Sequence, residues 1–359
     1  MNKYPSRGIN PINSEQALEG PKDSFNEVLE TNIELIKKRI KKDLQQKEFI
    51  LGKYTNTKID ILYIKSIVKE ELVQDIENRI KTINIDGIID SSYLKQYLTE
   101  QESLFPTILS TERPDKASMS LLEGKIIILV DNTPYVLILP SFFQDLFHTT
   151  DDYYQKSFNT TFIRIIRLFA FLIAILLPGF YISVTTRNYN LIPLPLLLTL
   201  KAGRTLVPFP AYIEAILMIL SFEILKESDI RKVNNSSSSI SILGGLILGD
   251  AAVAAGIVSP IMIIVIAISS ISGLIFQSIE LGNAIRTYKI IILLLSTLLG
   301  ILGVILGILL LINDLNKIKS FGYSYLNIEK DDFIIKRNKK VKKRNPYLSN
   351  NIIRGRNHE

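Results

Sequence analysis

LFAFLIAILLPGFYISVTT, residues 168 to 186, is a run of 19 residues without a charge. As a helix it would rise about 28 Å, close to the roughly 30 Å hydrocarbon core of a bilayer. Arg164 and Arg167 precede it. Arginines at that place snorkel, laying their stems on apolar surface and keeping their heads in water. A run of this kind predicts a membrane helix, and the residues on either side decide how much of the chain shares that setting.

Charge is dense up to about Asp152 and again after Ile312, and sparse between. Ile290–Ile312 is a 23-residue charge-free run, long enough to cross. Ile240–Phe276 covers 37 residues, enough for two crossings, Ile240–Ile257 and Pro260–Phe276, with a break near Ser259-Pro260. LIPLPLLLTL is too short to span and carries two prolines, which predicts a half-helix or an interfacial piece. AYIEAILMILSFEILKE is apolar and helical, yet carries Glu214 and Glu223. Nine residues at about 100° each set those glutamates on opposite faces, so one of them is expected near the helix end, in reach of water. Four crossings result if this helix stays out. If it crosses, an even count requires a further crossing or re-entrant piece.

The 359 residues divide accordingly: a leader over 1–22, an α/β domain over 23–152, a polytopic helical membrane domain over 153–312 and a basic tail over 313–359. From Asn313 to Glu359 there are 12 Lys+Arg against 5 Asp+Glu, which accounts for the whole net charge of +7. A basic segment beside a span lies on the cytoplasmic side. MNKYPSRGINPINSEQ is polar and carries no signal-peptide core. The N-terminal domain and the tail are therefore both expected on the cytoplasmic side.

In the N-terminal domain, Asp23 or Ser24 is placed to cap a helix reaching about Lys42, with Phe25, Leu29, Ile33 and Ile36 on one stripe. LQQKEFILGKY and TKIDILYI read as strands. KEELVQDIENRIKTI is an amphipathic helix, SSYLKQYL a short one, and FPTILST a strand. ERPDKASMSLLEG is a helix with Pro114 in its first turn and Gly124 after its last. KIIILVD and YVLILP are strands split by a turn at Asn132, Thr133 and Pro134. Helices alternating with strands predict an α/β domain on a mixed sheet.

Several chemistries are excluded or unsupported. Cysteine is absent and there are two histidines, so thiolate sites and histidine metal clusters are ruled out. No phosphate loop, nucleophile triad or paired carboxylate motif is present, so neither an enzyme nor a cofactor is expected. Asp86, Asp90 and Asp131 sit beside turn residues and read as turn stabilisers. The run KRNKKVKKR lacks interleaved aromatics, which favours membrane lipids over nucleic acid as its partner. Arg164, Arg167, Arg204, Glu214 and Glu223 read as membrane-edge charges, with Arg204, Lys226 or Arg231 as partners for the glutamates.

The stretches TERPDKASMSLLEGKIIILVDNTPYVLILPSFF, DDYYQKSFNTTFIRIIRLFAFLIAILLPGFYIS, VPFPAYIEAILMILSFEILKE, LGDAAVAAGIVSPIMIIVIAISSISG and KSFGYSYL stand in order along the chain. Together with GPKDSFNEVLETNIELIKKRI and INIDGIIDSSYL they resemble the A-subunit family of bacterial spore germinant receptors, the GerA family, over roughly residues 15–326. Three features depart from the family pattern. A short leader stands where relatives carry a further N-terminal subdomain, Asp250 stands where they usually have Gln, and the tail is unusually basic. Pro208-Phe209-Pro210 favours the receptor branch over the related SpoVAF-like accessory proteins.

The resemblance implies one subunit of a three-part nutrient receptor in the inner membrane of a spore. Its partners would be a permease-like B subunit that binds the nutrient and a lipoprotein C subunit. It further implies a homo-oligomer around an ion-conducting path. A secondary transporter is the alternative, since broken helices and intramembrane charge suit one too; the chain shows no pair of related membrane halves.

Asp250 is the sole charged residue between Ile240 and Ile279. A carboxylate at mid-bilayer costs about 3 kcal/mol on insertion scales, so protein or water must surround it. Its glycine and alanine neighbours suit close helix packing, in which Asp250 would be neutralised. They equally suit a pore whose acidic ring attracts cations. Leu246, Asp250, Val253 and Ile257 are spaced for one helix face and are the pore-lining candidates.

Overall fold

In this computed structural model the described residues are Glu15, 20–100, 102–155, 157–230, 249–276 and 278–326. They fall into two units, one drawn from Met1–Arg164 with Leu315–Glu359, the other Ile165–Asp314.

The first unit is an α/β domain with a five-stranded sheet. Its strands are β1 (Leu44–Leu51), β2 (Thr57–Ile64), β3 (Leu109–Thr111), β4 (Ile126–Val130) and β5 (Val136–Leu139). The sheet order is β1-β2-β4-β5-β3 and every pairing is antiparallel, which corrects the expected mixed sheet. The short turns β1–β2 and β4–β5 enforce antiparallel neighbours, and β3 is too short to do more than cover an edge. Alternation along β4 serves two cores. Ile126, Ile128 and Val130 face α2 (Glu70–Thr82) and α3 (Ser91–Leu98) through Leu72, Ile76, Ile80 and Leu94. Ile127 and Leu129 face α1 (Leu29–Arg39) and α4 (Pro114–Leu122) through Ile33, Ile36, Ala117 and Leu121. Both faces of the sheet are covered, which explains why β4 reads IIILV without a polar position.

Helix α1 begins at Leu29, beyond the expected cap at Asp23 or Ser24. Asn26 and Asn32 tie residues 26–32 together instead, through Asn26 N–H to Asn32 Oδ1 (2.8 Å) and Asn32 Nδ2 to Asn26 O (2.6 Å). Asp23 pairs with Arg39 at 2.7 Å. Asp90 does cap α3, accepting from Ser92 N–H at 3.0 Å and from the Thr133 hydroxyl at 2.6 Å. Burial alone would raise its pKa; those hydrogen bonds win and hold it below the ordinary carboxylate range. Asp131 accepts a long 3.4 Å bond from Leu29 N–H, and exposed Asp86 lies 3.4 Å from Lys53.

A buried ion pair sits at the start of α4. Arg113 is 1% exposed and Asp115 is 4% exposed, 2.7 Å apart, with the Tyr154 hydroxyl donating to Asp115 at 2.8 Å. Burial pushes the Asp115 carboxyl up, and the Arg113 and Tyr154 hydrogen bonds more than reverse this, leaving it below its ordinary value. Residues 318–325, assigned from sequence to the tail, fold into this unit. They form β6 (Lys319–Ser320) and β7 (Tyr323–Ser324), with the Tyr325 hydroxyl donating to Pro106 O at 2.8 Å and the Ser320 hydroxyl to Thr107 O at 2.9 Å. The run KRNKKVKKR lies outside the described residues.

Candidate functional site

The second unit is helical, and its outer surface is apolar. Helix α5 (Asp151–Tyr154) belongs to the first unit; α6 (Ser157–Ile182) leads into the second. The others are α7 (Leu194–Ala202), α8 (Ala211–Ile230), α9 over residues 249–254, α10 (Pro260–Leu274), α11 (Ile279–Leu299) and α12 (Ile301–Lys317). Among the described residues two helical stretches are long and apolar enough to cross a membrane, Phe158–Arg187 and Ile279–Leu299, and Pro260–Leu274 is a shorter apolar helix. Phe169, Phe180, Ile264, Ile271, Leu302 and Leu309 are all exposed. Apolar surface on this scale needs a lipid or protein cover. LIPLPLLLTL contributes the nine-residue α7, a short helix as expected.

Ile290–Ile312, read from sequence as one crossing, is two helices. Gly300 has φ +64° and ψ −137°, a conformation closed to side chains, and the chain reverses there. Asn188 Oδ1 accepts from Ile301 N–H at 2.9 Å, and Arg187 Nε donates to Thr297 O at 2.9 Å, so both flanks of the break are hydrogen-bonded. On the return, a Cβ on Gly303 would stand 2.0 Å from Leu295 O, and one on Gly307 2.4 Å from an Ile292 side-chain carbon. The signal was present as Gly300, Gly303 and Gly307, but an uninterrupted apolar run hides a turn whose polar groups are met from elsewhere in the fold.

The two glutamates of α8 each sit in an ion pair. Glu214 is fully buried, lies 2.9 Å from Arg204 and accepts from Ser259 N–H at 3.0 Å. It thereby joins the α7–α8 connection to the start of α10, where unpaired N–H groups favour an anion. Arg204 was among its expected partners. Glu223 lies 2.7 Å from Arg286 on α11, not from Lys226; Arg231 is outside the described residues. Their faces do oppose, but both glutamates are engaged within the unit, because α8 packs against α10 and α11 at once. Glu223 keeps about a quarter of its side chain exposed, whereas Glu214 has none. Nine residues separate the two glutamates, about 14 Å along the helix. Arg164 lies 2.9 Å from buried Asp152 in the first unit. Arg167, one turn further, is half-buried.

Helix α9 ends at residue 254, followed by Gly256 at φ +65° and the start of α10 at Pro260, so the break expected near Ser259-Pro260 is present. Asp250 is exposed on α9 and Val253 is half-buried. Ile257 lies beyond the helix end, its N–H donating to Ala252 O at 2.9 Å, so the helical spacing that joined it to Asp250 and Val253 does not continue. Leu246 is outside the described residues.

Asp250 and Val253 border a cavity of about 1020 Å³ among α8, α9, α10 and α11. Its charged lining is Glu223, Lys226, Asp250, Arg286 and Lys289. Lys289 is 3% exposed and makes no hydrogen bond or ion pair among the described residues. Sequence reading passed over it by starting the apolar run one residue later, at Ile290.

The whole of this arrangement falls inside one family match. Residues 1–351 match the family model described as Bacillus/Clostridium GerA spore germination protein. The chain is 38% identical over 323 residues to spore germination protein KA of Bacillus subtilis (strain 168), covering 89% of this chain and 59% of that protein. It is 38% identical over 326 residues to spore germination protein XA of Bacillus anthracis, covering 90% and 66%. It is 35% identical over 323 residues to the uncharacterized membrane protein YfkQ of Bacillus subtilis (strain 168), covering 89% and 63%. The chain thus spans about three fifths to two thirds of these relatives' length. One solved structure, the N-terminal domain of the A subunit of the Bacillus megaterium spore germinant receptor GerK3, is 40% identical. It covers 33% of this chain and 97% of its own, with a TM-score of 0.28.

Proposed function

Because this chain belongs to the GerA family of Bacillus/Clostridium spore germination proteins, we propose that it serves germination as an A-type subunit of a nutrient receptor in the spore inner membrane. In this reading the α/β unit lies on the cytoplasmic side. A permease-like B subunit holds the nutrient, a lipoprotein C subunit completes the receptor, and copies of this chain assemble around an ion-conducting path. The names of the relatives support the germination role, and one of them is called a membrane protein.

The observation that carries the conducting role is the spacing of the two ion-pair sets on α8. They stand at most about 14 Å apart along the membrane normal, against about 30 Å of hydrocarbon. If α8 crosses, at least one set lies at hydrocarbon depth, and charges held there mark polar paths by default. The pore-lining candidates are Asp250 and Val253, with Leu246 and Ile257 flanking them. The reading is tested by potassium flux from vesicles holding the chain together with its B and C partners. Nutrient-triggered efflux without nutrient uptake supports a channel; uptake coupled to the efflux supports the transporter reading instead.

A further inference from the structure

The cavity among α8, α9, α10 and α11 is lined by charged groups at one part and apolar groups over the rest. Three cations line it, Lys226, Arg286 and Lys289, against two carboxylates, Glu223 and Asp250. Glu223 is engaged by Arg286 at 2.7 Å. Arg286 Nε and Glu223 Oε2 are buried with no hydrogen-bond partner, and Lys289, 3% exposed, makes no hydrogen bond or ion pair among the described residues. Lys289 meets the charge of Glu223 at longer range but also the like charges of Lys226 and Arg286, and an anion in the cavity would offset that repulsion. The volume, about 1020 Å³, is that of a site for a drug-sized molecule or larger, not for an inorganic ion. The remaining lining is largely apolar. Ile264, Ile271 and Leu274 of α10 border the cavity and are themselves 56%, 63% and 59% exposed, so its apolar wall continues onto the outer surface of the unit.

We propose that the cavity binds an anionic phospholipid of the surrounding bilayer. Its phosphate would lie against Lys289, Arg286 and Lys226, and an acyl chain along Ile264, Ile271 and Leu274. Lysine and arginine donors suit phosphate, and basic pockets between membrane helices take anionic head groups. The inference needs the second unit to lie in a bilayer; it does not need the ring, the nutrient or the B and C subunits.

The test reconstitutes the full chain into phosphatidylcholine vesicles with and without phosphatidylglycerol, extracts it in neutral detergent and measures the retained lipid by mass spectrometry. The expected result is phosphatidylglycerol retained about tenfold above its share of the bilayer. Lys289→Met should abolish the enrichment and Lys289→Arg should keep it. The Met variant removes a buried charge, so its folding is safe, and an unchanged unfolding temperature in detergent checks this. Retention in proportion to the bilayer overturns the proposal. So does enrichment that survives Lys289→Met, since the basic tail would then be the cause. Oleate that displaces phosphatidylglycerol one for one overturns the phosphate assignment, and a chain that retains no lipid overturns the site.

Discussion

Arg204 and Glu214 lie 2.9 Å apart, and Glu214 is fully buried while Arg204 keeps about a fifth of its side chain exposed. The carboxylate is the costly partner, and its second oxygen also accepts from Ser259 N–H at 3.0 Å. The pair therefore connects α7, α8 and α10 at one point. Glu214→Gln removes the charge and keeps an acceptor for Ser259. It should cost about 3 kcal/mol, since it leaves the guanidinium without its counter-charge. Glu214→Ala loses the Ser259 bond as well and should cost about 1 kcal/mol more. Thermal unfolding of the full chain in detergent ranks the two; equal midpoints would mean that the Ser259 bond contributes nothing.

The Gly300 reversal predicts a crosslink. In a straight helix Ile292 and Gly307 would stand about 22 Å apart. In the hairpin, a Cβ on Gly307 would touch Ile292. The chain lacks cysteine, so Ile292→Cys with Gly307→Cys forms a defined pair. Oxidation in membranes should close it within one chain. A pair that stays reduced means that residues 290–312 cross as one helix. Gly303→Leu should be far more damaging than Gly307→Ala, because a backbone carbonyl and not a side chain stands in the way.

The Arg113–Asp115 pair predicts acid sensitivity of the α/β unit. The Asp115 pKa is held low in the fold, so its contribution is full above the unfolded carboxylate value of about 3.9. That contribution disappears as pH falls through the lower folded value. Asp115→Asn should destabilise by about 3 kcal/mol at neutral pH and flatten the loss of stability below pH ~4. A variant that keeps the wild-type acid limb shows that another group sets it.

Sidedness follows from labelling. Tyr54 is 84% exposed and makes a suitable single-cysteine site, whereas Asn56 has φ +47°, where cysteine would be strained. Tyr54→Cys should resist an impermeant thiol reagent in intact cells and react after permeabilisation. Reaction in intact cells would place the α/β unit outside.

The proposed conducting path is tested at α9. Asp250→Asn keeps size and hydrogen bonding and removes the charge, so cation flux through the assembled receptor should fall several-fold with assembly unchanged. Val253→Ala should open a nutrient-independent leak. Normal flux in the first variant with a tight second one would remove α9 from the path.

Composition and periodicity determined a great deal of this protein. Charge density separated an apolar helical segment from an α/β one, because surface that needs an apolar cover and surface that meets water leave different traces in a linear chain. Period-3.6 stripes located α2, and turn residues placed the β4–β5 connection. The small-residue punctuation at Ser259-Pro260 marked the start of α10. These are local properties, fixed by a residue and its neighbours.

What only the tertiary structure decided lies at contacts between distant segments. KSFGYSYL packs on Pro106 and Thr107, more than 200 residues away, because Tyr325 and Ser320 find carbonyls there. Ile290–Ile312 bends at Gly300 because Asn188 supplies the acceptor that Ile301 N–H would otherwise lack. Glu223 meets Arg286 and not Lys226, and Lys289 turns into a cavity wall, because helix packing chooses partners across helices. A sequence states which groups need partners, whereas which partner each one meets is set by three-dimensional packing.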